Sequence, residues 1–530
     1  MTLAGTAARL SSPKSRSRAA IACAVFLIAV AVRWPIRFDW FGEQDQARFL
    51  CDVILYRYEG GEIFRKYFLL TSPLAVLAFS WLDLAFGHAA LLGLSNVLGV
   101  LASGVTAASV YVVARGLVGQ DLWAAAIAVG ATLVPGVFFT SLYGYPSTYS
   151  LAFVAVSAAA LSQGVALSPG TLNRLFLGAS AVAFVVAALL KVDFALMGSW
   201  LLAIVLTHGP RDKRLRHVVF LVGLAAATGV IVYGVTSLMT ADRSASSGFS
   251  SGWVDRYQPF NNGRVDASSV VWATGRGTWV LLALACGWML ARRRWREAAT
   301  LVAACALAAL PLWSVWASIP PLSTRHCVPG ALVTALYAGV FAARVLPHRK
   351  VLPLLWPVVL VAANWWGSPS FDINYQLSGD LYRQYRTNRA AFAAARQVAG
   401  EIAADPRPVQ VWVGRPASPS ILGRIDIIEI VRYQIACDAV DVRNHNVPCS
   451  DYDLQARRTD GTEKILFDAR DAPPASFLGR TKYGPGDYFF LSMTRDGDPG
   501  LEALGLTVHR FDLRRVYRPP EHGGSPRSAP

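Results

Sequence analysis

Charge is scarce in this chain: 16% of its 530 residues are Asp, Glu, Lys or Arg, against 54% hydrophobic, and the mean hydropathy is +0.38. That balance excludes an ordinary soluble domain, in which about a quarter of the residues are charged. Metal-ligating patterns are equally thin. The 7 cysteines are scattered, with no C-x-x-C and no Cys/His cluster at zinc spacing, which argues against a thiolate metal site. No Gly-rich phosphate loop is present to cradle a nucleotide. Basic residues do outnumber acidic ones, 50 to 34, for a net charge of +16. They fall in short loops between apolar runs, so the excess encodes membrane topology and not a nucleic-acid footprint.

What the chain has instead is length of apolar run. Segments near 19–36, 71–87, 90–114, 121–140, 148–167, 174–190, 192–207, 217–238, 277–291, 298–317, 327–345 and 349–366 are of the size that crosses a hydrocarbon core of about 30 Å. Three basic clusters orient them: Arg211, Lys213, Arg214 and Arg216; Arg292, Arg293, Arg294 and Arg296; and Arg344, His348, Arg349 and Lys350. All three are expected in the cytoplasm. Counting from them places the N-terminus inside, with an uncleaved first helix, and places 37–70, 239–276, 318–326 and everything after Trp366 outside. The count is off by one crossing around 71–114. Segment 71–87 is the weakest span, because Asp83 as an unpaired carboxylate in lipid costs several kcal/mol and Trp81 favours the interface. It reads as a juxtamembrane or re-entrant helix. The expected fold class is thus a polytopic α-helical membrane protein of about 11 to 13 transmembrane helices with a small C-terminal α/β extracytoplasmic domain.

Residues 1–366 form the membrane domain and 367–518 the α/β domain. In the latter, helices are expected at Asn388–Ala404 and Ile421–Ile435, and strands at Val409–Val413, Ile465–Asp468, Tyr488–Met493 and Leu506–Asp512. The Pro/Gly/Ser-rich tail 519–530 reads as disordered. Cys437 and Cys449 suit a disulfide if the domain is exported.

The first external loop, 37–70, is acidic: Asp39, Glu43, Asp45, Asp52, Glu59 and Glu62 stand within 24 residues beside a membrane. Asp52, Glu59 and Glu62 read as a solvated surface. Glu43 and Asp45, set between aromatic residues at the end of a spanning helix, read as working groups. Lys191 and Arg325 are expected at external helix ends, where a lipid phosphate lies, with snorkelling and interfacial anchoring as their bland alternatives. His326 adds a hydrogen-bonding group next to Arg325. Tyr143 and Tyr145 offer rings to a sugar face or to an interfacial belt. Loop 239–276, which carries Arg256 and Arg264, has the composition of a lid or of a passive connector.

Several of these pieces resemble, in order, the GT-C superfamily of lipid-dependent glycosyltransferases, in the branch of protein O-mannosyltransferases and the lipid A aminoarabinose transferase. Asp45-Gln46-Ala47-Arg48-Phe49 is similar to an acidic D-E-x-R-Y motif, with Gln46 in place of the second acid. Ser72-Pro73-Leu74 resembles a P-P-L start, Leu190-Lys191-Val192-Asp193 a Lys-containing helix junction, and Arg325-His326-Cys327-Val328-Pro329 an R-Y-x-x-P element with His326 in place of Tyr. The resemblance implies a single-displacement, inverting transfer of a sugar from a polyprenyl-phosphate donor to an envelope lipid, glycan or protein on the external face of the inner membrane. In that scheme Asp45 is the base with Glu43 as its partner, Lys191, Arg325 and His326 hold the donor phosphate, and Arg48, Tyr143 and Tyr145 contact substrate. No metal site is expected from residue clusters, and the sequence leaves participation of a divalent cation open. Two other readings compete: a transporter or flippase of a lipid-linked saccharide, and a non-catalytic membrane scaffold for the C-terminal domain.

Overall fold

A computed structural model describes residues 13–38, 44–59, 72–208, 210–239, 274–316, 324–346 and 351–365, and, in the C-terminal part, 400–402, 404–406, 408–414, 427–443, 454–469, 488–492, 507–511 and 514–518. The chain is a polytopic helical membrane protein with a small C-terminal α/β domain. Among the described residues, seven helical stretches are long and apolar enough to cross a membrane, and five shorter apolar ones stand among them.

In chain order the membrane part runs α1 (Pro13–Arg33), α2 (Gln44–Glu59), α3 (Pro73–Phe86), α4 (His88–Val118), α5 (Asp121–Thr132), α6 (Pro135–Thr140), α7 (Pro146–Ala166), α8 (Thr171–Leu190), α9 (Gly198–His208), α10 (Arg214–Met239), α11 (Arg276–Ala291), α12 (Trp295–Trp316), α13 (Thr324–Val345) and α14 (Leu352–Trp365). Two runs that hydropathy reads as continuous are broken. Segment 121–140 divides at Leu133-Val134 because Pro135 lacks the amide needed to continue a helix and instead starts α6 at its first turn. Segment 192–207 begins as a 3-10 stretch, Val192–Met197, before α9. Helix α3 has 14 residues, about 21 Å at the helical rise, which is short of the hydrocarbon thickness. Asp83 on it is not the unpaired carboxylate that the sequence suggests: it is buried, accepts from His88 Nδ1 at 2.5 Å, and pairs with Arg57 at 3.3 Å.

The 31-residue α4 is the axis of the bundle and gives it two distinct ends. At its C-terminal end Arg344 donates to the Leu117 carbonyl, Arg294 donates to the Arg344 carbonyl at 2.9 Å, and His208 packs against Gly116. The three basic loops therefore share that end. At its N-terminal end, His88 meets the C-terminal domain.

That domain is built on a seven-stranded sheet in the order β2-β3-β4-β1-β5-β7-β6: Asp441–Arg443, Leu454–Arg457, Glu463–Ala469, Val409–Gly414, Tyr488–Ser492, Arg514–Arg518 and Thr507–Phe511. β1 runs parallel to β4 and β5, with Val411 opposite Leu466 and Phe489, and the remaining pairs are antiparallel. Helix α15 (Ile427–Cys437) covers the sheet on the side of the membrane part. Its predicted start at Ile421 and the helix expected over 388–399 lie outside the described residues, as do residues 240–273 of the long loop and the tail 519–530. Strands β2, β3 and β7 were not anticipated. They are short or rich in charge, and the alternation of β2 and β3 runs over too few residues to stand out in the sequence.

The buried apolar residues form two large groups. One fills the bundle around Trp123, Ile127, Trp200, Ile204 and Leu336. The other is continuous from Leu91, Phe138 and Tyr145 of the membrane part, through Phe49 and Leu50 of α2, to Tyr433, Leu454 and Leu466 of the domain.

Candidate functional site

Among the described residues the acidic loop is largely helical. Helix α2 begins at Gln44, so Asp45 stands in its first turn, where the helix dipole favours a carboxylate. Glu43 and the side chains of Asp45, Arg325 and His326 lie outside the described residues.

Residue 46, where the resemblance leads one to expect an acid, shows how that first turn is held. Gln46 is fully buried and its Nε2 donates to Asn96 Oδ1 at 2.6 Å. The same Oδ1 accepts from the Gly144 amide at 3.2 Å, while Asn96 Nδ2 donates to the Phe38 carbonyl at 3.0 Å. Beside it, Ser95 Oγ donates to the Gly144 carbonyl at 2.9 Å and Tyr149 Oη to the Ser95 carbonyl at 3.0 Å. Every step is removed from water, where each unmade bond would cost about 1–3 kcal/mol. The start of α2, the top of α4 and the 143–145 turn are thereby one unit. Gly144 is required by contact: a Cβ there would lie 1.9 Å from the Ser95 carbonyl oxygen.

Tyr143 and Tyr145 are buried, not displayed. Tyr143 packs edge-on to Phe38 and Tyr145 edge-on to Phe49. Both line a narrow cavity together with Ser103, Thr106, Thr140 and Ser141, and with Val328 on the facing helix α13. Arg325 stands one turn before Val328, at the start of α13. Bonded to Ser141 of the cavity wall stands Arg33, which hydropathy reads only as the end of a spanning helix. Its guanidinium is fully buried, with Nε donating to Ser141 Oγ at 2.6 Å, Nη1 to the Ala29 carbonyl at 3.0 Å and Nη2 to the Thr132 carbonyl, and it lies 4.8 Å over the Phe138 ring. The carbonyl of Thr132 ends α5, so one role of this cation is to cap a helix C-terminus.

Lys191 does not snorkel. It is buried at the α8 break and pairs with Asp193 at 3.4 Å, both partners withdrawn from water. Neighbouring Leu190 belongs to the same apolar group as Tyr145, Tyr149 and Phe49, so Lys191 borders the unit just described. The structure thus gathers the Asp45 turn, Tyr143, Tyr145 and the start of α13, with Lys191 at the margin. Arg48 follows on α2, half-buried. Among the described residues no group of three or more His, Cys, Asp or Glu side chains is placed to hold a metal ion.

Asp52 overturns its sequence reading. It is fully buried and accepts from Arg432 Nη1 of α15 at 3.0 Å. The next residue, Tyr433, donates through Oη to the His88 carbonyl at 3.1 Å. Cys437, expected in a disulfide with Cys449, is a free thiol directed at the same carbonyl, 3.8 Å away, and burial pushes the pKa of both this thiol and the Tyr433 hydroxyl upward. Cys449 lies outside the described residues. Neither Gln46, Asn96, Arg33 nor Arg432 is a candidate by sequence; only the D-E-x-R-Y comparison marks position 46.

No protein-family profile matches the chain, and no curated protein matches it. Solved structures do. The structure of ArnT from Cupriavidus metallidurans bound to undecaprenyl phosphate is 15% identical, covers 96% of this chain and 98% of that one, and superposes with a TM-score of 0.55. The apo form of the same protein is 14% identical over 95% and 98%, with a TM-score of 0.48. At this identity the likeness concerns the fold alone, which this chain shares with that protein over nearly its whole length.

Proposed function

We propose that the protein is an integral membrane glycosyltransferase of the bacterial inner membrane, which moves a sugar from a polyprenyl-phosphate donor to an envelope acceptor on the external face, with inversion. The observation that carries this reading is the hydrogen-bonded unit from Gln46 through Asn96 to Gly144, which seats the Asp45 turn beside the 143–145 turn. It lies at the end of α4 opposite the basic loops, the external end by the positive-inside rule, with the N-terminus in the cytoplasm and the C-terminal domain outside. A fold shared with a protein solved with undecaprenyl phosphate supports a lipid-carried donor.

In the reaction the acceptor hydroxyl gives its proton to the Asp45 carboxylate as its oxygen bonds to the anomeric carbon. The bond from that carbon to the phosphate oxygen breaks with its electron pair, releasing polyprenyl phosphate. Lys191 and Arg325 stabilise the charge that grows on the phosphate, and His326 donates a hydrogen bond to it. For Lys191 this means sharing its ammonium between Asp193 and the lipid. Glu43 assists Asp45 or binds the acceptor, Arg48 contacts the donor, and Tyr143 and Tyr145 shape the sugar subsite from below.

The test is transfer in proteoliposomes with polyprenyl-phosphate sugars, the sugar and acceptor having been named by mass spectrometry of envelope lipids and glycans from a deletion strain. Asp45→Asn abolishes transfer with unchanged membrane expression; undiminished transfer removes Asp45 from the mechanism. A buried ion pair at a helix break, Lys191–Asp193, is also what a flippase uses. Movement of the lipid-linked saccharide across the vesicle without a new glycosidic bond would decide for that alternative.

A further inference from the structure

We infer that the C-terminal domain holds the base-bearing helix α2 in register through the Asp52–Arg432 pair, so that Arg432 is a positioning residue for the transfer proposed above, on which this inference rests. Residues 49–55 of α2 are all buried, almost two full turns, so the helix is enclosed on every side. One side meets the membrane part, through Gln46 on Asn96 and the Phe49 ring edge-on to Phe79 at 5.4 Å. The other meets α15 and β2 of the domain, and its apolar residues are continuous with Tyr433, Ala436, Val442 and Leu454.

Within that apolar contact sits one ion pair, with both members wholly out of water. Apolar residues of the same volume would serve stability as well or better, and a retained buried pair is best explained by the register it imposes. The geometry is of that kind. A single bond joins Nη1 to Oδ1 at 3.0 Å, and Asp52 Oδ2 has no hydrogen-bond partner among the described residues. A slip of α2 by one residue moves Asp52 by about 1.5 Å and turns it about 100°, which breaks the bond. The adjacent residue of α15 completes a triangle: Tyr433 binds the His88 carbonyl at the start of α4, about two turns above the Asn96 that holds Gln46. Helix α15 thus grips both helices that meet at the Asp45 turn, and Asp45 itself stands two turns before Asp52. The scaffold reading of the membrane domain is inverted: the domain holds the membrane site.

The experiment uses the full chain in lipid nanodiscs and compares Arg432→Met, Arg432→Lys and the double variant Asp52→Leu/Arg432→Met with the native protein. Hydrogen exchange over 44–52 accelerates in Arg432→Met while 146–166 is unchanged. Transfer per folded molecule falls about a hundredfold in kcat, since a displacement near 1 Å is enough for that loss, while the KM for the polyprenyl-phosphate sugar rises far less, because Lys191, Arg325 and His326 lie on other elements and Arg48 alone of the donor contacts shares α2. Arg432→Lys recovers part of the rate. The double variant folds, with a thermal midpoint at or above native, and is still slow. A double variant with native kcat, or unchanged exchange over 44–52 in Arg432→Met, overturns the inference. The transfer reading fails separately, by native activity in Asp45→Asn, and in that event the exchange results still decide whether the domain holds α2.

Discussion

The centre of the bundle around Trp200, Ile204 and Leu336 is packed from aliphatic, aromatic and small side chains, with Arg33 and the Lys191–Asp193 pair buried at its margin, whereas the layer around α2 and α15 buries Asp52, Asp83 and Arg432 among its rings. The solvent explains the contrast. Lipid tails are as apolar as Leu, so helices inside the membrane gain by close approach at small residues rather than by burial: Gly330 lies under Trp313, Gly339 against Ile127, Gly116 against His208. The layer around α2 and α15 joins the membrane part to the α/β domain, where burial of apolar surface contributes, and the cost of a desolvated ion pair can be carried there in exchange for a defined register. One core is assembled by fit and the other is also set by charge.

The sharpest break in that comparison is at the seam. Gly144→Ala sets a methyl 1.9 Å from the Ser95 carbonyl oxygen, and since that atom is backbone the turn itself must move. A loss near the upper end of overpacking costs, about 3 kcal/mol, is expected in the thermal stability of the purified protein, with transfer reduced as well. Gly93→Ala, on the same helix as Ser95 with nothing within 4 Å of the added methyl, is the control and is neutral or stabilising. If both substitutions behave alike, the 143–145 turn is not a close-packed seam.

Next in size is the charged layer. His88→Leu removes the partner at 2.5 Å from Asp83 Oδ1 and leaves that carboxylate with Arg57 alone, at a cost of about 2 kcal/mol in thermal or urea unfolding. Its counterpart in the bundle is Ser157→Ala, which removes the hydroxyl bonded to the Ser180 carbonyl at 2.9 Å. Membrane hydrogen bonds of that type average about 0.6 kcal/mol, so the loss is three- to fourfold smaller. Equal losses would erase the distinction between the two cores.

What the sequence discloses follows the same division. Long apolar runs announce α4, α7, α8 and α13 because a membrane span is a property of one segment read alone, and the three basic clusters announce which end they share. The helix junction at Lys191 is read, but the break at Pro135 and the 3-10 start of segment 192–207 are missed, since a hydropathy pattern averages over them. The outer layer is legible only in its composition. Asp52 looks like solvated surface because its partner Arg432 stands 380 positions away, and Asp83 looks unpaired because the imidazole that answers it belongs to the next helix. Residue 46 shows the limit of motif reasoning: a Gln where an acid is expected reads as a defect, yet its amide both donates to Asn96 and carries no charge into a buried site. The expected Cys437–Cys449 bridge fails for a related reason, as spacing along the chain says nothing of Cys437 turning inward to His88.

The smallest effect concerns that thiol. Cys437 sits at the end of α15 with its Sγ 3.8 Å from the His88 carbonyl, and burial raises its pKa well above that of a free cysteine. Thiolate is the reactive form, so at pH 7.5 the folded protein holds almost none at this position. A maleimide should therefore leave Cys437 unmodified in the native protein and modify it fully after denaturation without reductant, as read by mass spectrometry of the peptide. Cys437→Ser should shift stability by about 0.5 kcal/mol or less, because the weak contact to the carbonyl is replaced by a hydroxyl that donates to it. Denatured protein that takes up label only after reduction would establish a disulfide and return Cys437 to the pairing its spacing suggests. Rapid labelling of the native protein would instead mean that α15 parts from α4 in solution, and the charged outer layer would then be a dynamic contact rather than a second core.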